Sequence, residues 1–183
     1  MQVLVNRNCG GTLISATHIL TAAHCTVGYA ASSMEVFVGV HDITDNQFNR
    51  VNVAEIIIHP NYEPQNSHNN DYSILRLAKP VTFTKKVRPA CLPSDLSASY
   101  AGVHATVTGW GDLSSGVYSP PNVLQEVDVT VATNAECKSA YASKGFKITS
   151  NMVCAGDSGK DSCHGDSGGP LITSENGRQA LVI

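Results

Sequence analysis

What most restricts the fold of this sequence is a succession of short apolar or alternating runs, each closed off by Gly, Pro, Asn, Asp or Ser and none carrying a helical period. Val36–Val40, Val51–Ile58, Tyr72–Leu77, Ala105–Thr108, Val123–Val131 and Met152–Ala155 have the length and β-branched content of strands. Many short strands separated by turn signals predict an all-β sandwich or barrel. Leu171–Thr173 and Ala180–Ile183 flank Asn176-Gly177, a pair that tolerates two positive φ angles and so predicts a hairpin with a primed turn. Helix is confined to two places. Thr133-Asn-Ala-Glu136 has the capping-box pattern and predicts one short surface helix over Cys137–Lys144, and Ala22-Ala23-His24 could make a single turn. Asp112–Pro121, rich in Ser, Gly and Pro, reads as a loop.

Composition narrows the function classes. At 183 residues and 42% hydrophobic the chain can bury one core, and no linker or repeat divides residues 1–183. A net charge of −3 offers no basic stripe for a phosphate backbone, so nucleic acid is excluded as a partner. No apolar run approaches the roughly 20 residues of a membrane-spanning helix. No secretion signal is visible in Met1–Asn8. Cys9, Cys25, Cys91, Cys137, Cys154 and Cys163 form no CxxC pair and no zinc-knuckle spacing, so disulfides and an oxidising, extracellular compartment are the better reading.

The chemistry is concentrated in "DSCHGDSGGP", residues 161–170. A serine hydroxyl is a poor nucleophile unless a base takes its proton and donors hold the oxyanion that forms. Gly165, Gly168 and Gly169 let the backbone turn tightly around Ser167 and aim successive N–H groups at one point. A Gly-rich turn with incidental polar residues would read the same way. A base is available at His24 in "LTAAHC" and an acid at Asp71 in "NNDYSILRL". Each alone is more ordinary: a structural histidine beside a cysteine, and a turn residue opening a strand. Together they occur in the order His, Asp, Ser, which separates one of the three known triad orders from those of subtilisin and the α/β-hydrolases.

With "CGGTLISATHILTAAHC", "HPNYEPQNSHNNDYSILRL", "RPACLP", "TGWGDLSSG" and "CAGDSGKDSCHGDSGGPL" in sequence, the chain resembles the chymotrypsin/trypsin family of serine peptidases nearly end to end. The resemblance implies two six-stranded antiparallel β-barrels with the site in the cleft between them. His24 and Asp71 would come from the first barrel and Ser167 from the second, with the N–H groups of Gly165 and Ser167 as oxyanion hole. Asp161, six positions before Ser167, would lie at the base of the primary specificity pocket and select Arg or Lys, with His164 at the rim. Asp166 would pair with the amine released by activation cleavage of a zymogen. Disulfides are implied for Cys9 with Cys25 and Cys137 with Cys154. The family partner of Cys163 lies beyond residue 183, and Cys91 pairs in many relatives with a segment ahead of the domain.

Other implications are a secreted, monomeric endopeptidase acting on polypeptides with Arg or Lys at the cleaved bond and met by protein protease inhibitors. No cofactor and no metal are expected: Val40 stands where calcium-binding relatives carry an acidic ligand. His18, His41, His59, His68 and His104 are expected at turns or on the surface. The sequence departs from the family at both ends. It lacks an Ile-Val-Gly-Gly-like start and stops at Ile183, so it is read as a partial domain, inactive or weakly active by itself. The alternative function is a catalytically silent homologue that binds within a proteolytic cascade.

Overall fold

The computed structural model describes residues 2–6, 8–45, 48–65, 68–95 and 98–182. Six antiparallel strands close a barrel in the order β1 (Gln2–Val5), β2 (Cys9–Leu13), β3 (His18–Thr21), β6 (Ser73–Leu77), β5 (Asn49–Ile58) and β4 (Glu35–Val38). Alternation along β3 and β6 drives the closure. Ile19 and Thr21, and Ser73, Leu75 and Leu77, point inward while their neighbours face out. Ile19, Leu75 and Leu77 meet Val3, Val5, Leu13, Met34, Val36 and Val38 in one core of nearly solvent-free side chains. Each large aliphatic residue buried there contributes roughly 1.5–3 kcal/mol. β5 is long enough to pair with both β4 and β6, and a register shift between Val53 and Glu55 lets it bend around the barrel.

The second unit is a four-stranded antiparallel sheet in the order β10 (Arg178–Leu181), β9 (Leu171–Glu175), β7 (His104–Gly109) and β8 (Gln125–Thr130). The β9–β10 connection is the expected primed hairpin, with Asn176 at φ 51° and Gly177 at φ 74°. The resemblance implied six strands here, whereas four are present among the described residues. Met152–Ala155 does not form a strand: it contributes one bridge, Ala155 to Val131, and then runs into turns at Gly159 and Gly165, both at positive φ. Trp110 ties the two units together, packing with Leu4, Phe37 and Val40 and donating its indole N–H to the His41 carbonyl at 3.2 Å.

The one α-helix among the described residues is α1 (Asn134–Tyr141), earlier by three residues than the sequence pattern suggested. Its Thr133 cap accepts from the Glu136 N–H while the Glu136 carboxylate accepts from the Thr133 N–H, as the capping box requires. A 3₁₀ turn over Ala142–Lys144 ends at Gly145 in the left-handed region. Disulfides join Cys9 to Cys25 and Cys137 to Cys154, while Cys91 and Cys163 are free and half-buried. No helix among the described residues is long and apolar enough to cross a membrane.

Candidate active site

Three chain segments meet between the barrel and the sheet. The first is the 3₁₀ turn Ala23–Cys25 that follows β3. Its position is fixed by the Cys9–Cys25 bridge, whose cysteines lie 16 positions apart and contribute about 3 kcal/mol on a chain-entropy estimate. Buried Thr26 donates its hydroxyl to the Ala23 carbonyl at 3.1 Å and can accept that of Ser73 at an Oγ1–Oγ distance of 2.9 Å, fastening the turn to the start of β6. The second segment, just before β6, carries Asp71. Its Oδ1 accepts the His24 backbone N–H at 2.8 Å and its Oδ2 lies 2.6 Å from His24 Nδ1.

That two-point contact decides the state of the imidazole. An ionised carboxylate accepts and cannot donate, so the ring proton sits on Nδ1 and the Nε2 lone pair is left free. The hydrogen bond that His24 donates to Asp71 raises its pKa, burial lowers it, and the carboxylate charge raises it again, with a net shift upward. For Asp71, burial pushes the carboxyl up. The His24 ring and backbone hydrogen bonds and the charges of His24 and His68 together outweigh it and hold Asp71 below the usual carboxylate value.

The third segment is the loop 166–170 with Ser167. It enters the cleft against the first barrel: the Gly10 N–H donates to the Ser167 carbonyl at 2.8 Å, and Cys25 Sγ lies 3.7 Å from the same oxygen. Gly168 sits at φ 77°, where a Cβ would fall 2.2 Å from Thr21 Oγ1 and 2.7 Å from the Gly10 carbonyl. Only glycine allows that approach. Ser167 is thus held by its carbonyl against Cys25, the residue that follows His24, and no hydrogen bond joins Ser167 Oγ to His24 among the described residues. The N–H groups of Gly165 and Ser167 donate to no protein acceptor among the described residues.

Behind loop 166–170, Asp166 accepts the Gly111 N–H at 2.8 Å and the Cys163 N–H at 2.9 Å. It has no cationic partner among the described residues, and two backbone donors hold its carboxylate instead. Asp161 is exposed, accepts the Ser162 N–H at 2.8 Å, and lines with Asp112 and Asp166 a cavity of about 180 Å³. His164 is exposed on the same loop, its carbonyl accepting the Asp112 N–H at 2.9 Å.

The sequence reading overlooked several supports. Thr149 donates its hydroxyl to Asn69 Oδ1 at 2.8 Å and Asn151 Nδ2 donates to Asn70 Oδ1 at 3.2 Å, so polar side chains lock the Asp71 segment to the second unit. His68 is exposed, as expected, and its ring also lies edge-on to His24 with centroids 6.4 Å apart. Gln2 accepts the Thr108 hydroxyl at 3.0 Å beneath loop 166–170. Polar-rich loop sequence gave only the signal that these residues turn the chain, since their partners lie in the other unit. Of the metal-ligating side chains that cluster, Cys9, His24 and Cys25 include a formed disulfide, whereas Asp112, Cys163 and His164 keep their donors within 4.8 Å of one another.

Comparison with known proteins adds an independent finding. The trypsin family model matches residues 1–183. Serine protease filzig of Drosophila melanogaster is 39% identical over 100% of this chain, which spans 11% of that protein. Serine protease 1 of Rattus norvegicus is 41% identical over 90% of the chain and 64% of its own length. Trypsin-3 of Salmo salar is 39% identical over 96% of the chain and 70% of its own length.

Proposed function

The chain belongs to the trypsin family of serine peptidases, and from that premise we propose that it is an endopeptidase that cleaves polypeptides after Arg or Lys through His24, Asp71 and Ser167. The observation that carries the reading is the two-point grip of Asp71 on His24, in the cleft that also receives Ser167. Ser167 Oγ attacks the scissile carbonyl and His24 Nε2 takes its proton. The imidazolium that results is stabilised by Asp71 and then protonates the leaving amine. Water repeats the sequence on the acyl-enzyme. The unpaired N–H groups of Gly165 and Ser167 are suited to hold the developing oxyanion.

Asp161 supplies the anion that favours a cationic side chain on the acyl side of the cleaved bond, with His164 at the rim. Asp166 is the carboxylate that an activation amine would meet, exchanging backbone N–H partners for a cation. The two disulfides fit an oxidising, extracellular setting. Polypeptides and protein protease inhibitors are the proposed partners, and the protein is proposed to be a monomer.

The test is hydrolysis of Arg-, Lys- and Phe-terminated peptide amides by the activated full-length protein and its Ser167→Ala and Asp161→Ser variants. Cleavage after Arg and Lys that Ser167→Ala abolishes, and that Asp161→Ser selectively weakens, supports the reading. Undiminished cleavage by Ser167→Ala overturns the mechanism, and a Phe preference overturns the specificity.

A further inference from the structure

On the strength of the endopeptidase reading, we propose that the end of the barrel away from His24 and Asp71 carries a docking groove for an acidic segment of the protein substrate. Charge points to the place. Between Asp71 and Asp95 the sequence holds five of the chain's 12 Lys and Arg residues and none of its 15 Asp and Glu residues. Arg76 is paired with Glu55 at 2.8 Å. Lys79, Lys85, Lys86 and Arg88 are exposed, and no carboxylate pairs with them among the described residues.

These cations stand beside a groove of about 410 Å³. Val38, Val51, Val81 and Val87 give it apolar lining, Lys79 gives it a free positive charge, and no carboxylate lines it. Arg50 also lines it but is held by Glu35. The surrounding backbone is fixed. The Ala78 N–H donates to the Asn52 carbonyl at 2.9 Å and the Val81 N–H to the Ala16 carbonyl at 2.8 Å. In the turn that follows, the Thr84 N–H donates to the Val87 carbonyl at 2.9 Å. Thr84 Oγ1 accepts the N–H groups of Lys86 at 3.2 Å and Val87 at 3.1 Å, and Arg88 Nε donates to the Thr84 carbonyl at 3.4 Å. Val87 is anchored in the barrel core, so Lys85 and Lys86 are presented to solvent on a rigid base. Binding then orders little backbone.

The lining selects the occupant. A segment rich in Asp and Glu supplies the complementary charge, and one aliphatic or aromatic side chain among the acids meets the valines. Phe83, 48% exposed on the same stretch of chain, extends the apolar surface. A long polyanion has no use for apolar lining, and outside this patch it would face a chain whose net charge is −3.

Position makes the substrate the source. β6 begins two residues after Asp71, pairs there with the end of β3 that leads to His24, and finishes two residues before Lys79. At about 3.3 Å per residue its ends stand roughly 13 Å apart. One extended polypeptide can therefore fill the cleft and reach the groove, which makes the second contact intramolecular and raises its effective concentration. The groove touches no reacting atom, so it lowers KM and leaves kcat unchanged.

Two readouts test this on the activated full-length protein. Fluorescence anisotropy on the Ser167→Ala variant follows binding of a short labelled peptide of Asp and Glu around a central Leu. Turnover is compared for an Arg-containing peptide joined through a Gly/Ser linker either to that acidic segment or to a Gly/Ser segment of equal length. Expected are saturable binding that salt weakens, a loss of roughly tenfold or more in affinity in Lys85→Glu/Lys86→Glu, and a KM about threefold or more lower for the acidic fusion at equal kcat. The double variant should lose that advantage while cleaving a short Arg-terminated amide at the parental rate, which also reports its folding. If it does not fold, Lys79→Gln carries the test. Peptide binding unchanged by these substitutions overturns the proposal, as does a heparin oligosaccharide that binds the same lysines where the acidic peptide does not. Cleavage of the short amide with no gain from the acidic fusion overturns the groove alone, whereas a parent protein that cleaves no short amide overturns the endopeptidase reading and, with it, the substrate as occupant.

Discussion

Replacing Asp71 with Asn tests the proposed mechanism at the contact best defined by the structure. An amide keeps one oxygen, which can still accept the His24 backbone N–H now bound by Oδ1 at 2.8 Å. The other arm becomes an NH₂ group facing Nδ1, where the carboxylate oxygen stood at 2.6 Å. It donates, so Nδ1 must accept, and the ring proton moves to Nε2, the atom that has to receive the proton of Ser167. The base is blocked without moving the ring. In enzymes that work through a Ser-His-Asp triad the corresponding change costs roughly 10⁴-fold in kcat, or about 5 kcal/mol of transition-state stabilisation.

Stability should change far less. The His24 ring is 40% exposed and the Asp71 side chain 23% exposed, so solvent screening holds the pair to within about 1 kcal/mol of folding free energy. The two influences that raise the His24 pKa both come from Asp71, whereas burial lowers it, so the variant should titrate at lower pH than the parent. The assay is a pH series of kcat and kcat/KM on an Arg-terminated amide with active sites counted by acylation, beside a urea unfolding curve. Turnover within tenfold of the parent at neutral pH would refute the argument, and so would an unfolding midpoint that collapses while kcat per folded molecule holds.

Further outcomes follow from the same geometry. On the proposed mechanism, kcat/KM of the parent protein should rise with pH through an apparent pKa above that of an ordinary imidazole, because hydrogen bonding to Asp71 raises the folded-state pKa of His24 and only the neutral ring acts as base; a rate profile in H₂O checks this. Stability from the protonated His24 should be fully present below its unfolded pKa and be lost as pH rises through the folded value. That from Asp71 should be present above its unfolded pKa and be lost as pH falls through its lowered folded value; denaturant midpoints across pH measure both. Gly168→Ala would put a methyl 2.2 Å from Thr21 Oγ1 at φ 77° and should cost roughly 1–3 kcal/mol with a loss of kcat, read by thermal unfolding and turnover. Leu13→Ala, fully buried in the barrel, should cost about 2–5 kcal/mol, and Thr133→Ala at the helix cap about 1 kcal/mol, both read from urea midpoints.

How much of this was legible in the sequence depended on whether a residue's partner lay nearby along the chain. The Asn176-Gly177 hairpin and the Thr133–Glu136 cap are local, and both formed as their spacing implied. β6 showed itself because one face alternates into the barrel. β2 has no such signature: Cys-Gly-Gly-Thr-Leu spends two residues on contact, and the ideal Cβ of Gly10 would fall 2.8 Å from Gly169 Cα. The strand's glycine pattern makes sense only once loop 166–170 from the far end of the chain is in place. Met152–Ala155 erred the other way, an apolar run in which Val153 stays exposed. The same logic governs the site. The order His24, Asp71, Ser167 was visible, but the clamp of Asn69 and Asn70 on Thr149 and Asn151 was not, nor was the meeting of Asp112 with Cys163 and His164. Contacts of that range leave no period in the sequence, because each partner satisfies only a local turn until closure of the two units brings them within hydrogen-bonding distance. The residues that make the chemistry recognisable are therefore not those that make it geometrically possible. The latter are glycines and short polar side chains whose identity is set by what crosses the cleft to meet them.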